Sequence, residues 1–181
     1  MFEKQKQQQL SRQDFSKKGS IDRRIAGLVR KINASDNYYT TSSCSGRILL
    51  LTEDKKQETR WLFASHDKIA LNQLKSPLKT LPKKPLWFKF EPMILHIACR
   101  TLEDAQNIVD KARLAGFKWS GIMGARKRFL AEIKGTDFIS TIISKNSRQI
   151  VNENYLSVLA GEANKKLKRN LEKIKRFEKS L

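Results

Sequence analysis

Residues 86–116 read LWFKFEPMILHIACRTLEDAQNIVDKARLAG, and this stretch decides the architecture. Leu86 to Phe90 is predicted as one strand and Met93 to Arg100 as a second, with Pro92 interrupting them. In the first, Trp87, Lys89 and Glu91 share a face while Phe88 and Phe90 take the other. In the second, Ile94, His96, Ala98 and Arg100 face one way, and Leu95, Ile97 and Cys99 the other. Thr101 then caps a helix running from about Leu102 to Ala115, because its hydroxyl can accept an orphan amide of the first turn. Gly116 stands at the C′ position, where a positive φ favours glycine.

On either side of this stretch, strands and helices mix without regular βαβ alternation. Ser20 is a predicted N-cap for a helix to about Asn33, with Ile21, Ile25, Val29 and Ile32 at helical spacing. Tyr38 to Ser43 and Ile48 to Thr52 read as strands separated by a turn at Ser45-Gly46. Glu53 to Glu58 is a polar turn, Arg60 to Ser65 a third strand, and residues 68–76 a short helix. Pro77, Pro82 and Pro85 lie in a lysine-rich stretch read as a surface loop. Phe117 to Met123 and Lys127 to Lys134 form a hairpin turning near Gly124. From Asn152, the spacing of Leu156, Leu159, Ala163, Leu167, Leu171, Ile174 and Leu181 predicts a long amphipathic helix over 152–180. The expected class is α+β, with a mixed, largely antiparallel sheet and a long C-terminal helix. This order of elements argues against a doubly wound parallel sheet, and with neither a Gly-x-Gly-x-x-Gly turn nor a Walker loop present, any nucleotide-like cofactor would have to bind without those turns. A single domain, 1–181, is expected, with 1–15 a candidate flexible segment.

Lys and Arg total 37 against 18 acidic residues, a formal charge of +19. Such a chain is attracted to polyanions through counterion release, so nucleic acid is the favoured partner over a merely solvated basic surface. Residues 75–89 hold five lysines and no acid, and 111–134 hold seven basic residues against Glu132 alone. No apolar run is long enough to span a membrane, and Met1 to Gln9 lacks a signal-like core. Cys44 and Cys99 make no disulfide scaffold, so a cytoplasmic location is expected.

The densest polar cluster is Thr40-Thr41-Ser42-Ser43-Cys44-Ser45-Gly46-Arg47. It is either a hydroxyl-rich strand end or an anion site built of hydroxyls, amides and a guanidinium. Cys44 has no sequence-adjacent base that would make it a nucleophile. His66 ends a strand; His96 sits mid-strand, either as a satisfied core residue or as a catalyst beside Arg100. Two histidines and two cysteines lack the close spacing of a zinc site, so no metal is expected. Trp61, Trp87 and Trp119 are either core residues or stacking platforms for bases.

Taken in order, several segments resemble the tRNA wybutosine-synthesising methyltransferase family, that of the third wyosine-synthesis protein of archaea and eukaryotes. They are Ser16-Lys17-Lys18-Gly19-Ser20-Ile21-Asp22, Tyr39 to Leu51 (YTTSSCSGRILLL), Trp61-Leu62, Ser65-His66 and Lys89-Phe90-Glu91-Pro92. Ile94-Leu95-His96, Cys99-Arg100, Gly116-Phe117, Ser120-Gly121-Ile122, Tyr155, Ala163-Asn164-Lys165 and Arg176-Phe177 follow. The match runs from about residue 16 to 178, with 68–85 unmatched. The resemblance implies methyl transfer from S-adenosyl-L-methionine to ring nitrogen N4 of an aminocarboxypropyl-demethylwyosine base. That base stands at position 37, in the anticodon loop of phenylalanine tRNA. It also implies an α+β fold distinct from Rossmann-type methyltransferases.

Such a displacement needs alignment of donor and acceptor, and a base for the acceptor proton. The candidate bases are His96 or His66, with Glu91 third. Ser43, Cys44, Ser45, Gly46, Arg47, Ser120 and Gly121 are the cofactor-binding candidates, with Arg47 suited to a carboxylate. Lys17, Lys18, Lys89, Arg100, Lys165, Lys168 and Arg169 are the RNA-binding candidates. The rival reading is a non-catalytic basic RNA-binding domain.

Overall fold

In the computed structural model, residues 1–11, 21–53, 59–126 and 128–181 are described. The elements are α1 (Phe2–Leu10), α2 (Ala26–Ala34), β1 (Tyr38–Thr52), β2 (Arg60–Ser65), α3 (Leu71–Leu78), β3 (Leu86–Cys99) and α4 (Leu102–Leu114). After them come β4 (Gly121–Gly124), β5 (Phe129–Lys134), β6 (Ile139–Lys145), β7 (Arg148–Gln149) and α5 (Glu153–Ser180). Strand order is β2-β1-β3-β5-β4, with β6 on β3 and β7 on β6. The β1–β2, β3–β5, β3–β6, β4–β5 and β6–β7 pairings are all antiparallel, and the class is α+β as expected.

Two compact units are distinguishable. The first comprises Met1–Ser45, Met93–Thr136 and Leu171–Leu181; the second comprises Gly46–Pro92 and Asp137–Asn170. In the first, Leu95, Ile97 and Cys99 of β3 join Ala131 and Ile133 of β5 as a fully apolar face. Leu28, Val29 and Ile32 of α2, Ile108 and Val109 of α4, and Ile174 and Phe177 of α5 cover it. Full burial of each large side chain contributes roughly 1.5–3 kcal/mol. Phe117 meets Phe177 edge to face, with ring centroids 6.2 Å apart. The opposite face of β3 carries His96. Helix α4 starts as expected: Thr101 Oγ1 accepts from Asp104 N at 3.0 Å, and Asp104 Oδ2 accepts from Thr101 N at 3.1 Å. Gly116 follows the helix with φ at 106°. Within the same unit, α1 is tied down where Phe2 packs on Tyr39 and Arg100 lies over Phe2 and pairs with Glu3.

In the second unit, residues 48–52 of β1 pair with β2, and 86–90 of β3 pair with β6. Ile48, Leu50, Leu74, Phe88, Phe90, Ile143, Leu159, Ala163 and Leu167 are buried here. Asn164 of α5 clasps the backbone of Ile69, accepting from its N–H at 2.9 Å and donating to its carbonyl at 2.8 Å.

Several boundaries differ from expectation. Tyr38–Thr52 is one strand, not two. Gly46 does not turn the chain; its φ of 98° bends the strand at a point where a side chain would be strained. Leu86–Cys99 is likewise continuous through Pro92. Pro92 lies where β3 passes from partner β6 to partner β5, so on that edge its missing N–H removes no ladder bond. Pro77 falls in the last turn of α3 rather than in a loop. The first predicted helix begins at Ala26, because Asp22 makes a turn instead, its carboxylate accepting from Arg24 N at 3.1 Å. Ser20, its expected cap, and residues 54–58 of the expected polar turn lie outside the described residues. Helix α1 and the β6–β7 hairpin were not foreseen.

Candidate active site

The strand β1 delivers its polar residues to two clusters, one in each unit. In the first unit, Ser42 Oγ lies 2.6 Å from His96 Nδ1, and His96 Nε2 lies 3.1 Å from Glu132 Oε2. Register explains the second contact: His96 of β3 is the direct antiparallel partner of Glu132 of β5. Alternation on both strands puts them opposite the apolar face. A carboxylate can only accept, so neutral His96 carries its proton on Nε2 and donates it to Glu132. Nδ1 then accepts from the Ser42 hydroxyl. The Thr41 hydroxyl also donates to the His96 carbonyl, at 3.4 Å. Ser42 is the one exposed residue of β1, while His96 and Glu132 retain about a quarter of their side-chain exposure (26% and 24%).

In the second unit, Arg47 Nε donates to Glu91 Oε2 at 2.8 Å, and its guanidinium lies 4.5 Å from the centre of the Trp61 ring. This fixes a cation over an aromatic face, with an anion beside the cation. His66 Nδ1 donates to the Gly46 carbonyl at 2.9 Å, which places the imidazole against the bend in β1. Lys89 pairs with Glu53 and lies 5.3 Å from the centre of Trp87.

The residues singled out by sequence thus divide. Arg47, Glu91, His66 and Gly46 come together in one unit, and His96 belongs to the other cluster. Ser45 is buried and donates to Asp22; Ser120 is buried, donating to the Phe117 carbonyl at 2.6 Å and accepting from Lys134 N at 3.3 Å. These hydroxyls serve structure. Ser43, Cys44 and Gly121 are half-buried, and neither cysteine forms a disulfide. Burial pushes the Cys99 thiol up to about 12, with the Asp104 carboxylate adding to the effect, so Cys99 stays protonated at neutral pH. Lys89 and Arg100 are ion-paired; on α5, Lys165, Lys168 and Arg169 are exposed, with Lys165 3.6 Å from Glu162 and Arg169 3.7 Å from Asp137. Lys17 and Lys18 lie outside the described residues. Trp61 and Trp87 are half-buried and Trp119 is 55% exposed, so none is a core residue. Among the described residues no three His, Cys, Asp or Glu gather as a metal site, and no helix is long and apolar enough to cross a membrane.

Two residues of these clusters, Ser42 and Glu132, carry only weak sequence signals. Ser42 was one hydroxyl among many. Glu132 was visible only as the single acid in a basic stretch; alternation along Leu130, Glu132 and Lys134 was the available signal.

The fold and clusters describe an α+β protein, outside the doubly wound class, with basic surface and part-exposed acid–base groups. The family model described as Methyltransferase TYW3 matches residues 3–181. The chain is 40% identical over 189 residues to the tRNA wybutosine-synthesizing protein 3 homolog of Danio rerio, covering 99% of this chain and 74% of that one. It is 36% identical over 185 residues to a Pyrococcus furiosus protein, covering 99% and 94% of the two chains. That relative is named tRNA(Phe) 7-((3-amino-3-carboxypropyl)-4-demethylwyosine(37)-N(4))-methyltransferase 1. The solved structure of the PH1069 protein from Pyrococcus horikoshii superposes with a TM-score of 0.90 at 34% identity, covering 98% of this chain and 94% of that one. The chain therefore belongs to the TYW3 methyltransferase family, and its reaction is methyl transfer from a methyl donor.

Proposed function

We propose that the chain methylates N4 of aminocarboxypropyl-demethylwyosine at position 37 of phenylalanine tRNA, with S-adenosyl-L-methionine as donor. The observation that carries this reading is the co-linear match to the Pyrococcus furiosus relative, which spans 99% of this chain and 94% of that one. The family match runs over both compact units, and 1–181 is read as one functional domain. A tRNA-modifying role suits a cytoplasmic enzyme.

The residues fit the donor on chemical grounds. Its methionine end is an α-amino acid zwitterion, and the Arg47–Glu91 pair offers a guanidinium for a carboxylate and a carboxylate for an ammonium. Gly46 adjoins Arg47 in the same unit; Ser43, Cys44 and Gly121 remain candidates within the first unit. The bound donor supplies an electrophilic methyl group. The protein orients the two partners and takes the acceptor's proton. We assign the final resting place of that proton to His96, because it sits part-exposed between the Ser42 hydroxyl and the Glu132 carboxylate, which can stabilise an imidazolium. Lys165, Lys168 and Arg169, with Lys17 and Lys18, are assigned to tRNA phosphates, and the anticodon-loop base can splay out toward an aromatic shelf such as Trp61.

Calorimetry tests the donor assignment. Arg47→Ala should weaken S-adenosyl-L-methionine roughly ten- to a hundredfold, the worth of a charge-assisted bond to a carboxylate of about 1.5–3 kcal/mol. Unchanged donor affinity would remove Arg47 from the site. Strong tRNA affinity with no donor affinity in the native chain would favour a non-catalytic RNA-binding domain.

A further inference from the structure

We infer that Ser42, not His96, is the group that meets the acceptor, and that Ser42, His96 and Glu132 form a proton relay whose outer end is the Ser42 hydroxyl. The relay rests on the proposed methyl transfer. The geometry leaves His96 no direct role: Nδ1 is held by Ser42 Oγ at 2.6 Å, and Nε2 by Glu132 Oε2 at 3.1 Å. A base with both ring nitrogens engaged reaches a substrate only through one of its partners. Glu132 can only accept and is the inner end of the chain. Ser42 is the exposed end, and its oxygen keeps acceptor capacity while its own proton points at His96.

The step balances. As the acceptor nitrogen forms its bond to the methyl carbon, the carbon–sulfur bond breaks and its electron pair stays on sulfur. The nitrogen's proton passes to Ser42 Oγ, and the Ser42 proton passes to His96 Nδ1. The resulting imidazolium lies against the Glu132 carboxylate and later returns its proton to water. Ser42 is then a catalytic residue that forms no covalent intermediate. Glu132 is a positioning residue that holds the proton on Nε2 and so keeps Nδ1 open as a base.

Nitrogen-15 NMR of the ligand-free protein reads the first half of this directly. The chain has two histidines, so replacing either one assigns the spectrum. At mildly alkaline pH, His96 should be the Nε2–H tautomer, and His66, which donates to the Gly46 carbonyl, the Nδ1–H tautomer. A His96 Nδ1–H tautomer would overturn the relay. Turnover tests the second half. Ser42→Ala should lower kcat by about a hundredfold or more, with KM for the donor little changed. Ser42→Thr keeps the hydroxyl, suits a strand, and should recover most of the rate. Glu132→Gln should lower kcat about ten- to a hundredfold, by weakening a charge-assisted bond, and shift the His96 nitrogen signals. Full activity in a folded Ser42→Ala protein would sink the relay and leave the methyl-transfer reading intact. A native protein that transfers no methyl group would overturn that reading and the relay's substrate role, while the NMR result would still judge the hydrogen-bond chain.

Discussion

At the scale of single residues, polar groups divide into those the fold consumes and those it presents. Asp22, Ser45, Ser120 and Asn164 are satisfied inside the structure, where an unpaired polar group would cost about 1–3 kcal/mol. Tyr38 and Cys99 show the same economy for titratable groups. Burial, reinforced by the Asp104 carboxylate, pushes each up to about 12 from ordinary values of 10.0 and 9.0. Both are neutral acids whose folded pKa is raised, so folding favours their protonated forms. That stability is whole below the ordinary values and is lost as pH rises through them toward about 12. Thermal unfolding should therefore show Tm falling between about pH 9 and about pH 12. Tyr38→Phe, which removes one of the two ionisations, should fall less steeply. Parallel slopes for the two proteins would contradict the cause.

At the scale of elements, α5 carries two jobs on two faces. Ile174 and Phe177 enter the first unit's core, so Phe177→Ala should cost about 3–5 kcal/mol, read as a lower urea midpoint at unchanged m. Replacing Lys165, Lys168 and Arg169 by Gln should change stability by only about 0.5 kcal/mol per substitution, the surface pairs to Glu162 and Asp137 adding little, and should weaken tRNA binding. If the charge changes unfold the protein and spare affinity, the faces are misassigned. This helix was legible because its apolar period is long and its stripe uninterrupted; α4 was legible because Thr101, Asp104 and Gly116 mark both ends. Strand continuity was not. Gly46 and Pro92 are local breakers, yet β1 and β3 run through them because sheet partners take up the bend and the missing donor. The β6–β7 hairpin was hidden because Asn146 and Ser147, at φ of 53° and 58°, occupy positions where glycine is the usual signal. The candidate site was half legible for a related reason. Arg47, His66, Glu91 and His96 stand out as polar residues in apolar strands, but the pairing of His96 with Glu132 depends on register, which alternation within one strand cannot reveal.

At the scale of the whole molecule, a formal charge of +19 with exposed lysines on α5 makes phosphate the natural counter-charge. Binding of phenylalanine tRNA should weaken with salt along a log–log line, with a slope near −0.9 per duplex phosphate neutralised. Affinity flat from low to moderate salt would mean that charge is not what holds the tRNA. The activity is narrower than binding: this chain places one methyl group on one ring nitrogen. Its most direct test is incubation of the protein with phenylalanine tRNA bearing aminocarboxypropyl-demethylwyosine and labelled S-adenosyl-L-methionine, followed by nucleoside mass analysis. A single labelled methyl group should appear on N4 of the tricyclic base, with no label on tRNA that lacks the tricycle. Label on another nucleoside, or none at all from a protein that binds both donor and tRNA, would contradict it.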